Sequence, residues 1–365
     1  MTIENIVFEE VASPCERVEQ QTAFYCGAAC CKMVFDNLKI PVSQAEAYQI
    51  IHNDERFKTE ELYSDPLGIA ACLNIKTPVD ISFEVQDFSS TDKSIVLDQI
   101  YYTLKFLRIP CLVLVQKGNH WVVISAVRMT EEVGGNREMR GVYIQNPWYG
   151  STANKYVATP EFLDGWLTPI AWGETWKNSL VIMSDEKAPR PQNIAAMQSS
   201  HTLISFRPSA FLTKSQLAQS ALREHGFNEI LNLGGGAGDI LAPIDVVDLA
   251  GNGDYTIIPM DGTNSANFKD FVYVAVDSAS GNLLEIERFG NALQVYSDSE
   301  AKGVIQTLHP SAHVTIDPLY YWERSFIAMS RFQIFRKVGI DGTSFFLTSG
   351  GEIKADLAFT AKAGG

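Results

Sequence analysis

The stretch from 110 to 147 leaves this chain few choices. PCLVLVQK (110–117) and HWVVISAVRM (120–129) are β-branched and aromatic runs, and KGN between them reads as a short turn. A link that short permits only an antiparallel hairpin, because parallel neighbours need a crossover of roughly a dozen residues. RGVYIQNP (140–147) follows across EEVGGNRE (131–138), a longer hairpin loop, and NSLVIMS (178–184) adds a further strand. Upstream the patterning is helical. CGAACCKMVFDNL (26–38) sets Met33, Val34, Phe35 and Leu38 toward one side, and SQAEAYQIIHND (43–54) opens with Ser43 and Glu46 at capping-box spacing. DPLGIAACLNI (65–75) and SIVLDQIYYTLKFLR (94–108) read as two more helices, the last stopped by Pro110. Helices first and an antiparallel sheet afterwards predict an α+β fold.

A chain of 365 residues suggests two domains at about 150 residues each. The polar stretch before residue 200, with Pro189 and Pro191, reads as the join. The expected division is a first domain at 1–185, a linker at 186–200 and a second, smaller α+β domain at 201–365. The second part opens with a helical pattern at 213–226, with Thr213 as cap and Gly226 as stop, and carries a hairpin around SASGN within 271–290. LNLGGGAGDI (231–240) imitates a phosphate loop but has Asp239 where a third glycine belongs and no Walker lysine, so it reads as a turn. The terminal AKAGG (361–365) reads as a frayed end.

The formal net charge is -14 and no Lys/Arg cluster is present, which excludes nucleic acid and anionic membrane as natural partners. No long uncharged apolar run and no secretory signal pattern is seen, so the expected location is cytoplasmic. All six cysteines (Cys15, Cys26, Cys30, Cys31, Cys72, Cys111) fall in the first 111 residues, too lopsided for a disulfide framework. Their spacing offers no CxxC pair, and His309 and His313 flank Pro310 in a loop-like stretch. No metal and no cofactor is expected.

One of these thiols has the setting of a nucleophile. Cys26 stands where a loop meets a helical run, so the helix dipole favours its thiolate, and Gly27 behind it leaves room for a substrate backbone. Cys30 and Cys31 lie one turn deeper and read as packed residues. Two histidines lie in the first half. His52, in IIHND, reads as a solvated or capping residue. His120 opens an apolar strand after the turn, where a ring can face a cleft; beside Trp121 it can equally be structural. A general base needs a group that fixes its tautomer, and Asn146 at the end of the next strand is placed for that if the strands pair, although Asn-Pro also starts turns. Gln20 can donate to a developing oxyanion together with the backbone N–H of Cys26.

Gln20, then Cys26-Gly27, then His120-Trp121-Val122-Val123, then Asn146-Pro147 together resemble the papain-like cysteine peptidases. QQTAFYCGAAC, GNHWVVISAV and VYIQNPW are most similar to the bacterial branch that trims double-glycine leader peptides from bacteriocins. The resemblance covers roughly residues 10–185. It implies a helical lobe carrying the nucleophile, packed on a twisted antiparallel sheet carrying the base, and hydrolysis of a peptide or protein through a Cys26 acyl-enzyme. Two departures stand out: Asn146 replaces the Asp usual in that branch, and Tyr25 replaces an Asp often found before the nucleophile. The same scaffold also serves acyl transferases and non-catalytic peptide-binding modules. The second domain is expected to dock substrate, inhibit, or recruit a protein partner.

Overall fold

The computed structural model describes residues 7–53, 63–88, 93–131, 137–170, 175–176, 178, 180–185, 214–232, 243–251, 253–265, 268–289, 293, 295–323 and 330–355. The chain clusters into two compact units, Met1–Thr202 and Leu203–Gly365. Stretches 186–213, 233–242 and 356–365 lie outside the described residues, and with them the expected linker, the Thr213 cap, the glycine-rich turn and the chain end.

In the first unit, β3 (Cys111–Val115) and β4 (His120–Glu131) form the expected hairpin, in the register Val115 opposite His120. Gln116, Lys117 and Gly118 all take positive φ (56°, 58° and 87°), so the tight link is built from left-handed backbone. The long β4 then pairs with β5 (Arg137–Gln145), and β5 with β6 (Lys155–Ala158). On its other side β3 pairs with β7 (Leu180–Asp185), and β7 with β2 (Phe83–Phe88). The strand order is β6-β5-β4-β3-β7-β2, and every pairing is antiparallel. A strand not anticipated from sequence, β1 (Val7–Ala12), pairs with the far half of β4 along the edge that β3 leaves open.

The apolar run of β3 is continuous because both its faces are covered. Cys111, Val113 and Val115 enter one core with Val122 and Ile124 of β4, and with Val96 and Ile100 of α4 (Lys93–Tyr102). Leu112 and Leu114 enter the other, with Trp121 and Val123 of β4 and the helices α1 (Cys26–Asn37), α2 (Gln44–Asn53) and α3 (Pro66–Lys76). The period of two thus sorts alternate residues into two layers of helix. The first unit is accordingly α+β.

Helix signals held with local amendments. Ser43 Oγ accepts from the Glu46 N–H, but Glu46 Oε1 pairs with Lys76 across to α3. Asp65 caps α3 by accepting the Leu67 N–H, with Pro66 in the first turn. The expected helix 94–108 ends earlier: α4 gives way to a π-helical turn, Thr103–Leu107, and Arg108 takes φ 56° to release the chain into β3. A short α5 (Thr159–Glu161) runs into a second such turn, Phe162–Trp166, which carries the buried Trp166 into the core. His52 is half-buried and not freely solvated. Its Nδ1 lies 2.8 Å from the Tyr48 carbonyl and its Nε2 3.0 Å from the Tyr63 carbonyl, with its ring stacked on Tyr48.

The second unit contains α6 (Lys214–Glu224), α7 (Asn228–Asn232), α8 (Asp298–Leu308) and the strands β8 (Ile244–Asp248), β9 (Tyr255–Ser265), β10 (Phe268–Asp277), β11 (Leu283–Phe289), β12 (Val314–Trp322), β13 (Phe335–Ile340), β14 (Thr343–Leu347) and β15 (Ile353–Lys354). Its strand order is β15-β14-β13-β12-β8-β9-β10-β11, with β12 and β8 parallel. The SASGN turn joins β10 to β11: Asp277 Oδ1 accepts from the Ala279 and Ser280 N–H groups, and Gly281 supplies φ 74°. Arg331 lies between the rings of Tyr255 and Trp322, at 4.9 and 4.7 Å. His309 caps the end of α8. Among the described residues no group of His, Cys, Asp and Glu has the arrangement of a metal site, and no helix is long and apolar enough to cross a membrane.

Candidate active site

Cys26 is the first residue of α1. Its helix starts without a side-chain cap, the Ala29 N–H bonding the Tyr25 carbonyl at 2.7 Å, and no acidic residue lies in the first turn to offset the dipole. The sulfur is buried. Burial raises the Cys26 thiol above its ordinary value, while the backbone N–H groups of Trp121, Gly27 and Cys26 itself pull the other way. The Trp121 amide at the sulfur puts Cys26 against the peptide that begins β4, beside His120.

His120 is completely buried, and its Nε2 lies 2.9 Å from Asn146 Oδ1. Asn146 stands one residue beyond β5, and the same Oδ1 accepts the Trp148 N–H at 2.9 Å. A backbone amide can only donate, so the atom between Trp148 and His120 is the amide oxygen, and His120 Nε2 must carry its proton. In the neutral ring the lone pair is then on Nδ1. Trp148 also sets its ring edge-on to the imidazole at 6.1 Å. Burial lowers the His120 pKa to about 4, against a smaller opposing effect of the Asn146 bond.

Gln20 is brought to the same place by backbone bonds. Its N–H donates to the Pro147 carbonyl at 2.8 Å, and its side chain is buried with Nε2 donating to the Thr22 carbonyl at 2.8 Å. Arg17 completes the stitching: Nε donates to the Asn146 carbonyl at 2.7 Å and a terminal nitrogen to the Trp148 carbonyl at 2.6 Å. These bonds tie the segment before α1 to the segment after β5.

Gly27 has a different role from the one expected. A Cβ there would meet Ser64 Cβ and Oγ at 2.5 Å, so the space freed by the glycine is filled by Ser64 and not left for a substrate. Ser64 in turn accepts the Trp121 indole N–H at its carbonyl (3.0 Å), and Asp65 accepts the indole N–H of Trp176 (3.1 Å). Tyr63, Ser64, Trp121, Ile170 and Trp176 close round Cys26, leaving a recess with about 10 Å³ of room. Cys30, Cys31 and Cys72 are fully buried, and all six cysteines are free thiols. Burial also pushes the Cys15 and Cys111 thiols up to about 12.

Cys26, His120, Asn146 and Gln20 were singled out from sequence; Arg17, Trp148 and Ser64 were not. Arg17 binds main-chain carbonyls far away in sequence, and Ser64 packs on Gly27 and accepts from the Trp121 indole, so neither leaves a periodicity to read. Trp148 sits directly in the NPW motif, and an aromatic after Asn-Pro was the one available signal.

No protein-family model matches the sequence, and a search of curated proteins finds no match. Solved structures similar to the chain include two peptidases. One is a double glycine motif protease from an AMS/PCAT transporter in complex with the leader peptide: 17% identity, TM-score 0.30, covering 48% of this chain and 94% of that one. The other is the peptidase domain of Streptococcus ComA, a bi-functional ABC transporter involved in a quorum sensing pathway: 16% identity, TM-score 0.30, covering 47% of this chain and 98% of that one. Both of these structures are transporter peptidase domains, at a TM-score too low to carry an argument about family or activity.

Proposed function

We propose that residues 1–185 form a papain-like cysteine peptidase domain, with Cys26 as nucleophile, His120 as general base and Asn146 as the group that orients it. One observation carries the reading. Asn146 Oδ1 takes both the Trp148 N–H and His120 Nε2, which fixes the tautomer that presents a basic Nδ1. Burial opposes a charged thiolate and a charged imidazolium alike, so the resting pair is neutral. The Cys26 proton passes to His120 Nδ1 as sulfur attacks the peptide carbonyl. The oxyanion is held by the Cys26 backbone N–H and the second N–H of Gln20 Nε2. His120 returns the proton to the leaving amine, and a water activated by the same ring then releases the acyl group from sulfur.

The recess beside Cys26 has room for about one water and is walled by tryptophans, which favours small residues next to the scissile bond. The test is a comparison of new N-termini generated in a bacterial proteome by wild type and by Cys26→Ala. Wild type alone should create them, after small residues. Identical sets from both proteins overturn the reading.

A further inference from the structure

Gln44 is the first residue of α2, and its side chain is almost wholly buried without serving the helix. It faces the segment that carries Gln20. Gln44 Nε2 donates to the Glu19 carbonyl at 2.7 Å, and Gln44 Oε1 accepts the Gln21 N–H at 3.0 Å. Those two groups lie on one edge of the backbone, directly flanking Gln20. The Gln20 N–H lies on the opposite edge and is held by the Pro147 carbonyl at 2.8 Å. The side-chain amide of Gln44 therefore substitutes for a neighbouring strand, and Gln20 is clamped on both edges. Gln20 also has a buried Oε1 with no hydrogen-bond partner. Its Nε2 is held by the Thr22 carbonyl at 2.8 Å, two residues along the same segment, so fixing that backbone fixes the amide.

We infer that Gln44 is a positioning residue whose amide sets the orientation of Gln20, and through it the stabilisation of the oxyanion. The inference rests on the peptidase reading for its catalytic consequence and on the hydrogen bonds alone for its structural one. Only bonds made in the transition state change turnover without changing substrate binding, so loss of Gln44 should lower kcat and leave KM in place.

The experiment uses the full chain carrying Gln44→Met, which keeps the length of the side chain and removes both bonds. On a peptide that wild type cleaves, kcat should fall about tenfold or more, up to the roughly 10²–10³ lost when an oxyanion donor is deleted outright, with KM unchanged. Alkylation of Cys26 by iodoacetamide forms no oxyanion and should keep its rate. In a Gln20→Ala background, Gln44→Met should cost nothing further, because the group it positions is gone. An additive loss in that background, or a KM change with kcat intact, overturns the inference.

A second readout does not depend on turnover. The Gln20 side-chain NH₂ resonances should be dispersed in wild type and shift toward solvent-exposed values in Gln44→Met. Unmoved resonances overturn the inference even if the enzyme is active. If wild type cleaves no peptide, the peptidase reading fails, and the NMR result alone decides the positioning of Gln20.

Discussion

Removing the Asn146 side chain tests the site at its most connected atom. Oδ1 is the acceptor for two donors, the Trp148 N–H and His120 Nε2, both at 2.9 Å, with His120 and Asn146 buried and Trp148 half-buried. Asn146→Ala leaves both without that acceptor. A buried donor stripped of its partner costs about 1–3 kcal/mol, so two sum to about 2–6 kcal/mol, and water entering the vacated volume brings the expectation to about 2–4 kcal/mol. The imidazole also loses what holds its proton on Nε2, so turnover should fall about 10²-fold, bounded by the roughly 10⁴ that a general base supplies. Asn146→Asp separates the two effects. It retains the acceptor, so the tautomer survives, while a carboxylate beside the ring raises the His120 pKa above its depressed value. Urea denaturation followed by tryptophan fluorescence gives the stability, and the pH profile of kcat/KM gives the base. Asn146→Ala with wild-type stability and turnover would refute the reasoning. So would an Asn146→Asp enzyme whose acid limb does not move upward.

Three further outcomes follow from the same geometry. Gly27→Ala drives a methyl into Ser64 at 2.5 Å and should cost about 1–3 kcal/mol by the same denaturation assay; an unchanged midpoint would mean Ser64 yields freely. His120 binds its proton less readily when folded (about 4) than when unfolded (about 6.5), so the unfolded chain takes up the extra proton as pH falls between those values. Folding stability contributed by this ring is present above about pH 6.5 and lost on acidification toward 4, by roughly 3 kcal/mol; His120→Gln should flatten that part of the stability profile, and an identical profile counts against the burial argument. Arg17→Met should loosen the Asn146–Trp148 segment and reduce kcat, read against an unchanged alkylation rate at Cys26; a wild-type kcat shows that the segment holds without it.

Local connectivity made the centre of the first unit readable. The 117–119 turn admits only a hairpin, which makes His120 the first residue of a central strand, and Asn146 follows the next strand at once. Cys26 opens a helix for the same kind of reason, since helical spacing begins there. What escaped was decided by distant pairing. β1 is VFEEVA, with two of its six residues acidic, and becomes a strand only because β4 is longer than β3 and leaves an edge to cover. The π-helical turn after Tyr102 keeps helical spacing while changing the winding, so periodicity ran straight through it. His52 looked solvated because its neighbours in sequence are polar, but its partners include the carbonyl of Tyr63, eleven positions on. Nothing in its own helix signals the role of Gln44, because its partners, Glu19 and Gln21, belong to another segment.

The most direct measurement is capture of the covalent intermediate. The full chain is mixed with a small-residue peptide bearing a nitrophenyl ester, quenched in acid within the first turnover, digested, and sequenced by mass spectrometry. An acyl group should be found on Cys26, formed in a burst of one equivalent and lost in both Cys26→Ala and His120→Ala. An acyl group on Cys15 or another residue, or a Cys26 adduct that forms at the same rate without His120, contradicts the account.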